Sequence, residues 1–157
     1  LAQRGRISID VQGYLREVRG ERVVSTKWAD MHRVLAVTSI LKLNEKEKEA
    51  ISNFTDPRDV ARELAALGVE EVVLTLGGEG SRIYAHREFY DIPAYKPAKL
   101  VDATGCGDTY STGYLYARMR GAGYAEAGRF AAAMCTLKLE HCGPFDRTVD
   151  DINAILA

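Results

Sequence analysis

Residues Val101–Tyr114 read "VDATGCGDTYSTGY". Two glycines, Gly105 and Gly107, bracket Cys106 directly before the carboxylate of Asp108, and the chain then turns apolar at roughly helical spacing. A helix N-terminus carries unpaired backbone N–H groups and the positive end of the helix dipole, so it attracts anions. Gly105 and Gly107 remove side chains from the turn, which lets those N–H groups approach a phosphate closely. A carboxylate at that point can take a proton from a substrate hydroxyl as the hydroxyl attacks phosphorus. The stretch points to a phosphotransferase site. A tight turn with Asp108 as a plain N-cap is the alternative that the same residues allow on their own.

Working outward, the chain alternates helix and strand signals. "ISIDVQG" reads as a strand from Ile7 to Val11 running into a turn at Gly13, and "YLREVRGERVV" alternates around Gly20 as an irregular hairpin would. "MHRVLAVTSILKLN" passes from a short helix into a buried strand, Ser39 to Leu43, with a further helix from Glu45. "TDPRDVARELAALG" carries Asp56 as N-cap, Pro57 at the first helical position, an apolar face of Val60, Leu64 and Leu67, and Gly68 as the stop. "EEVVLTL" is a short buried strand, Val72 to Leu76, and "SRIYAHREFYDIPAY" a pair of antiparallel strands. From Asp108 onward the chain is helical: one helix ends at Gly121, a second before Gly143-Pro144, and a third opens on a capping box from Thr148 to Asp151. Repeated helix-then-strand order argues an α/β sheet with parallel members. No linker or repeat interrupts the chain, which reads as one domain over residues 1–157.

Composition excludes several function classes. With 21 basic against 22 acidic residues in 157, the net charge of −1 gives no electrostatic case for nucleic acid or an anionic membrane surface. Cys106, Cys135 and Cys142 have no CxxC spacing, so neither a disulfide framework nor a zinc site is suggested, and reduced thiols in a cytoplasm fit best. No apolar run reaches the ~20 residues of a membrane span, and the N-terminus lacks a signal-peptide core. His32, His86 and His141 share no ligand spacing, and Trp28 and the tyrosines read as packing residues.

"DATGCGDT" resembles the C-terminal signature of the ribokinase-like (PfkB-type) carbohydrate kinases, an Asp-x-Thr-Gly-small-Gly-Asp pattern. The resemblance implies Asp108 as the catalytic base and the backbone N–H groups of Gly105, Cys106 and Gly107 as the anion hole, Cys106 standing where alanine is commoner. Three further stretches fall in the family's order. "LNEKE" supplies Asn44 and Glu47, similar to an Asn-x-x-Glu motif that positions magnesium and phosphate through water; hard oxygen ligands suit that ion. "TLGGEG" supplies Thr75, Gly77 and Gly80, similar to the family's nucleotide-binding loop. "RFAAAMCTLKLEHCGP" resembles the late helix bordering the adenine, with Ala132 at the contacting position and the Gly143 turn beyond. Asp102 and Thr104 are spaced as in ribokinases that bind a monovalent cation such as potassium. "DVQG" with "KLEHCGP" resembles a branch that includes myo-inositol kinase-like members.

The implied fold is ribokinase-like α/β, helices flanking a mostly parallel sheet. Family members are about twice this length, so the expectation is that only the C-terminal portion is present, the nucleotide and catalytic half. That half would expose a strand edge and apolar faces, to be covered by the N-terminal half or by another copy. The implied activity is transfer of the ATP γ-phosphate to a hydroxyl of a sugar or sugar-like alcohol, with ATP and magnesium as cofactors. The alternative is a kinase-derived fragment that binds nucleotide or a protein partner and phosphorylates nothing.

Overall fold

The chain runs β1 (Ser8–Asp10), β2 (Arg16–Arg19), β3 (Arg22–Ser25), α1 (Met31–Leu35), β4 (Ile40–Asn44), α2 (Glu45–Ile51), α3 (Pro57–Ala66), β5 (Glu71–Thr75), β6 (Ser81–Ala85), β7 (Glu88–Ile92), α4 (Cys106–Met119), α5 (Tyr124–Leu139) and α6 (Val149–Leu156). The structure is a computed structural model and describes residues 5–157. They form two units: the described residues up to Thr75 with Tyr84–Phe89, and Leu76–Ile83 with Tyr90–Ala157. No helix among the described residues is long and apolar enough to cross a membrane.

In the first unit, β1, β4 and β5 lie side by side and parallel, with Asp10 opposite Lys42 and Asn44 opposite Thr75. "ILKL" and "EVVL" are continuous rather than alternating runs, as suits strands buried on both faces, and all eight of those residues are buried. Asp56 caps α3 by accepting the Arg58 N–H at 2.7 Å, and Pro57 occupies its first turn. The face of α3 formed by Val60, Ala61 and Leu64 then enters one core with Leu35, Leu41, Leu43, Val72 and Leu74. Each such Val or Leu side chain stabilises the fold by about 1.5–3 kcal/mol on burial. Gly68 ends the helix at φ 115°, and a Cβ there would lie 2.9 Å from the Ala36 Cα, so only glycine fits.

The expected hairpin around Gly20 is an antiparallel ribbon, Arg16 opposite Ser25 through Arg19 opposite Arg22, with Gly20 at φ 63° in the turn. The turn expected at Gly13 is a 3-10 turn over Val11–Leu15, capped by Asp10, which accepts the Gln12 N–H at 3.2 Å. Trp28 packs on Tyr14 with ring centroids 4.3 Å apart.

Strands β6 and β7 are neighbours joined by His86 and Arg87, both at positive φ (50° and 67°) as the tightest hairpin turn requires, and each strand contributes to both units. In the second unit, α4 and α5 pack through small residues: a Cβ on Gly113 would meet the Ala131 Cα at 3.1 Å. On the other side of α5 a Cβ on Gly128 would lie 2.7 Å from both Ile83 and Ile92 side chains. Tyr110 and Tyr114 are buried among these elements, and the Tyr110 hydroxyl is hydrogen-bonded to that of Ser81 at 2.6 Å. Burial pushes the Tyr110 phenol well above its usual range.

The expectation that only a C-terminal portion of the fold is present is corrected here. Strands and helices run from Ser8 to Leu156, so the α/β fold extends through essentially the whole described chain. The physical reason lies on the N-terminal side: β1 adds a parallel strand to β4, and Ile9, Val11 and Leu15 enter the same core as Leu41 and Leu43.

Candidate active site

In the second unit, Asp102 opens the motif loop, and its carboxylate accepts the Thr104 N–H at 2.9 Å. Gly105 follows in the left-handed region at φ 79° and serves as N-cap of α4, which starts at Cys106, two residues earlier than the sequence pattern placed the helical segment. Glycine supplies this entry at no steric cost, and no side chain caps the helix. Asp108 therefore sits exposed within the first turn of α4, among N–H groups that precede the helix's own ladder. One of those groups is turned inward: the Cys106 N–H reaches the Ala103 carbonyl at 3.2 Å. Burial pushes the Cys106 thiol up, although Lys138 pulls the other way, and a raised thiol pKa disfavours the thiolate form. Its carbonyl accepts the Cys135 thiol at 3.2 Å.

The Asp102 carboxyl is held below its usual range, first by the Thr104 backbone N–H, then by the Thr104 side chain, with a smaller contribution from Lys138. Lys138 is a residue that the sequence pattern alone did not single out. Its side chain is buried, with Nζ 3.1 Å from the His141 carbonyl, 3.4 Å from the Asp102 carbonyl and 3.8 Å from the Asp102 carboxylate. The available signal was a lysine among the small and apolar residues of "AAAMCTLKL". A lysine within "ILKLN" carries the same signal in the first unit, where buried Lys42 pairs with Asp10 at 2.8 Å.

The glycine loop after β5 is a single 3-10 turn, Gly77–Glu79, closed by Leu76 N–H donating to the Gly80 carbonyl at 2.8 Å. Gly77 and Gly78 are exposed, with nothing within 4 Å of where a Cβ would stand, so their backbone is open to a ligand. Gly80 differs: its Cβ would fall 2.1 Å from the Ile92 carbonyl. Ala132 is buried on α5, and Gly143 lies exposed beyond its end at φ 88°.

In the first unit, Asn44 ends β4 beside Thr75, whose hydroxyl donates to the Leu43 carbonyl at 3.4 Å. Asn44 is also the N-cap of α2. Its side-chain oxygen accepts the Glu47 N–H at 3.0 Å, and the buried Glu47 carboxylate accepts the Asn44 N–H at 2.9 Å, a complete capping box. The structure thus brings Asn44, Glu47 and Thr75 together at one end of parallel strands. Asp102, Thr104 and Gly105–Asp108 come together at the start of α4.

The model of the pfkB family of carbohydrate kinases matches residues 15–148. The chain belongs to this family. It is 35% identical over 125 residues to an uncharacterized sugar kinase of Archaeoglobus fulgidus, covering 77% of this chain and 49% of that one. It is 32% identical to a cytidine kinase of Thermococcus kodakarensis, covering 76% and 43%. A solved pyrophosphate-dependent kinase of the ribokinase family, in complex with sulfate, superposes with a TM-score of 0.82 at 25% identity over 96% of this chain and 52% of its own. The pfkB relationship covers nearly all of this chain and is not restricted to a C-terminal half, which corrects the narrower family reading. The chain spans about half the length of the curated pfkB-type relatives it matches.

Proposed function

We propose that this chain carries out pfkB-type phosphoryl transfer from ATP to a hydroxyl of a sugar or a related alcohol such as a nucleoside, with Asp108 as general base. The observation that supports this best is the start of α4, an exposed carboxylate on a helix N-terminus that no side chain caps and that a left-handed glycine opens. As the acceptor oxygen bonds to phosphorus, an Asp108 carboxylate oxygen takes the hydroxyl proton, and the bond from phosphorus to the leaving oxygen breaks. The N–H groups of Gly105, Cys106 and Gly107 hold the charge on the transferring group. Cys106 exchanges its contact with Ala103 for the anion.

The open backbone of Gly77 fits close approach of a nucleotide, and the motif spacing marks Thr75, Gly80, Ala132 and Gly143 as the further candidates for nucleotide contact. Magnesium ATP, when bound, supplies the phosphoryl group and neutralises its charge. Asn44 and Glu47 would hold the magnesium through water, since that ion keeps several waters and needs only one or two carboxylates from the protein.

Steady-state kinetics of Asp108→Asn test the proposal. Turnover is expected to fall at least ~100-fold with little change in ATP affinity, because the base is lost and the fold and nucleotide contacts are not. Unchanged turnover removes Asp108 from the mechanism. Nucleotide binding with no turnover by the unsubstituted chain, across sugars and nucleosides, would favour the binding-only reading.

A further inference from the structure

Lys138 stands at the end of α5 with only 3% of its surface exposed. A buried ammonium is costly unless oxygens replace its water, and this one has three around it. It donates to the His141 carbonyl at 3.1 Å and the Asp102 carbonyl at 3.4 Å, and it lies 3.8 Å from the Asp102 carboxylate. Two carbonyls and a carboxylate about a single positive charge are the kinds of oxygen ligand that a monovalent cation takes. Asp102 is one of the two residues whose spacing in the sequence suggested such a cation.

The site also has a mechanical connection to the motif loop. The Val101 and Asp102 N–H groups both reach the Leu139 carbonyl, at 2.8 and 3.3 Å, so the start of the loop is laced to the last turn of α5. The Lys138 stem passes Gly105, where an added Cβ would lie 3.9 Å from its Cε. The ammonium thus joins Asp102, which opens the motif loop, to the His141 carbonyl just beyond the end of α5.

We infer that the Lys138 ammonium is a built-in cation that takes the place of a potassium ion at Asp102, holding the loop that leads to Asp108 without any bound monovalent ion. A second cation among the same oxygens would be repelled by the first. Lys138 acts here as a positioning residue. The consequence for catalysis rests on the kinase reading, but the substitution of ammonium for ion does not.

Thermal unfolding of the full chain tests the inference without reference to activity. Melting is followed in potassium, ammonium and choline chloride at equal ionic strength, for the unsubstituted chain and for Lys138→Ala, which vacates the oxygen set. The unsubstituted chain is expected to melt within about 1 °C in all three salts. Lys138→Ala should melt lower in choline and regain about 3 °C or more, saturably, in potassium or ammonium. If it folds only in potassium or ammonium, the inference is equally supported. A saturable potassium gain by the unsubstituted chain as large as the variant's, or a variant indifferent to all three cations, overturns it. Should the variant stay unfolded in every salt, the unsubstituted chain decides: a specific, saturable potassium response refutes the built-in cation, and indifference upholds it. Absence of kinase turnover in every salt would count against the proposed function and leave the melting result standing.

Discussion

Glu47 has two oxygens and two prospective tasks. One oxygen closes the capping box of α2 by accepting the Asn44 N–H, a task that a glutamine side-chain oxygen also performs. The other task, ordering the waters of a magnesium ion, needs the negative charge. Glu47→Gln is therefore expected to leave the melting temperature nearly unchanged and to raise the magnesium concentration for half-maximal rate. Glu47→Ala should lose both, with about 1 kcal/mol of stability gone with the cap. Superimposable magnesium titrations for Glu47→Gln and the unsubstituted chain would leave Glu47 as a helix cap alone. Gly80 teaches the reverse lesson: the pattern marked it for nucleotide contact, but the 2.1 Å approach to the Ile92 carbonyl shows a packing demand sufficient by itself to require glycine.

Among the elements, α6 shows a terminus whose stability is written in its cap. Thr148 Oγ1 accepts the Asp151 N–H at 3.2 Å, while the Asp151 carboxylate accepts the Thr148 N–H and hydroxyl, both at 2.8 Å. Those donors, the backbone N–H first, hold the Asp151 carboxyl below its usual range. Because the folded pKa is the depressed one, this contribution is present above the unfolded value near 3.9 and is lost as pH falls through the folded pKa. Thr148→Ala is expected to cost about 1 kcal/mol at neutral pH. It should also flatten the acid limb of a stability-against-pH curve, since one of the two donors is removed. An acid limb of unchanged steepness would show that the box does not set it.

For the whole molecule, the proposed activity predicts that a donor recognises the folded chain and not the unfolded one. Magnesium ATP at about 100 times its dissociation constant should add about 2.7 kcal/mol, raising the melting temperature by several degrees. Pyrophosphate, the donor named for one structural relative, gives the comparison arm. A shift with pyrophosphate and none with magnesium ATP would reassign the donor, and no shift with either would remove the nucleotide assignment from Gly77 and its neighbours.

Much of this protein was legible along the chain. Asp56-Pro57 announced the start of α3, Thr148 to Asp151 that of α6, and Gly20 the ribbon turn, because caps and turns depend on residues within a few positions of one another. Four ordered motifs, from Asn44 to Gly143, were enough to indicate the family, since each places glycine or a carboxylate at a fixed local spacing. Tertiary structure decided what local spacing does not encode. That Gly128 must clear Ile83 and Ile92, that β1 and its neighbours extend the fold through the N-terminal side, and that Lys138 spends its charge on Asp102 all depend on residues tens of positions apart. A lysine in a helix reads as a solvated residue until folding surrounds its ammonium with oxygens, and only the folded chain shows which carbonyls those are.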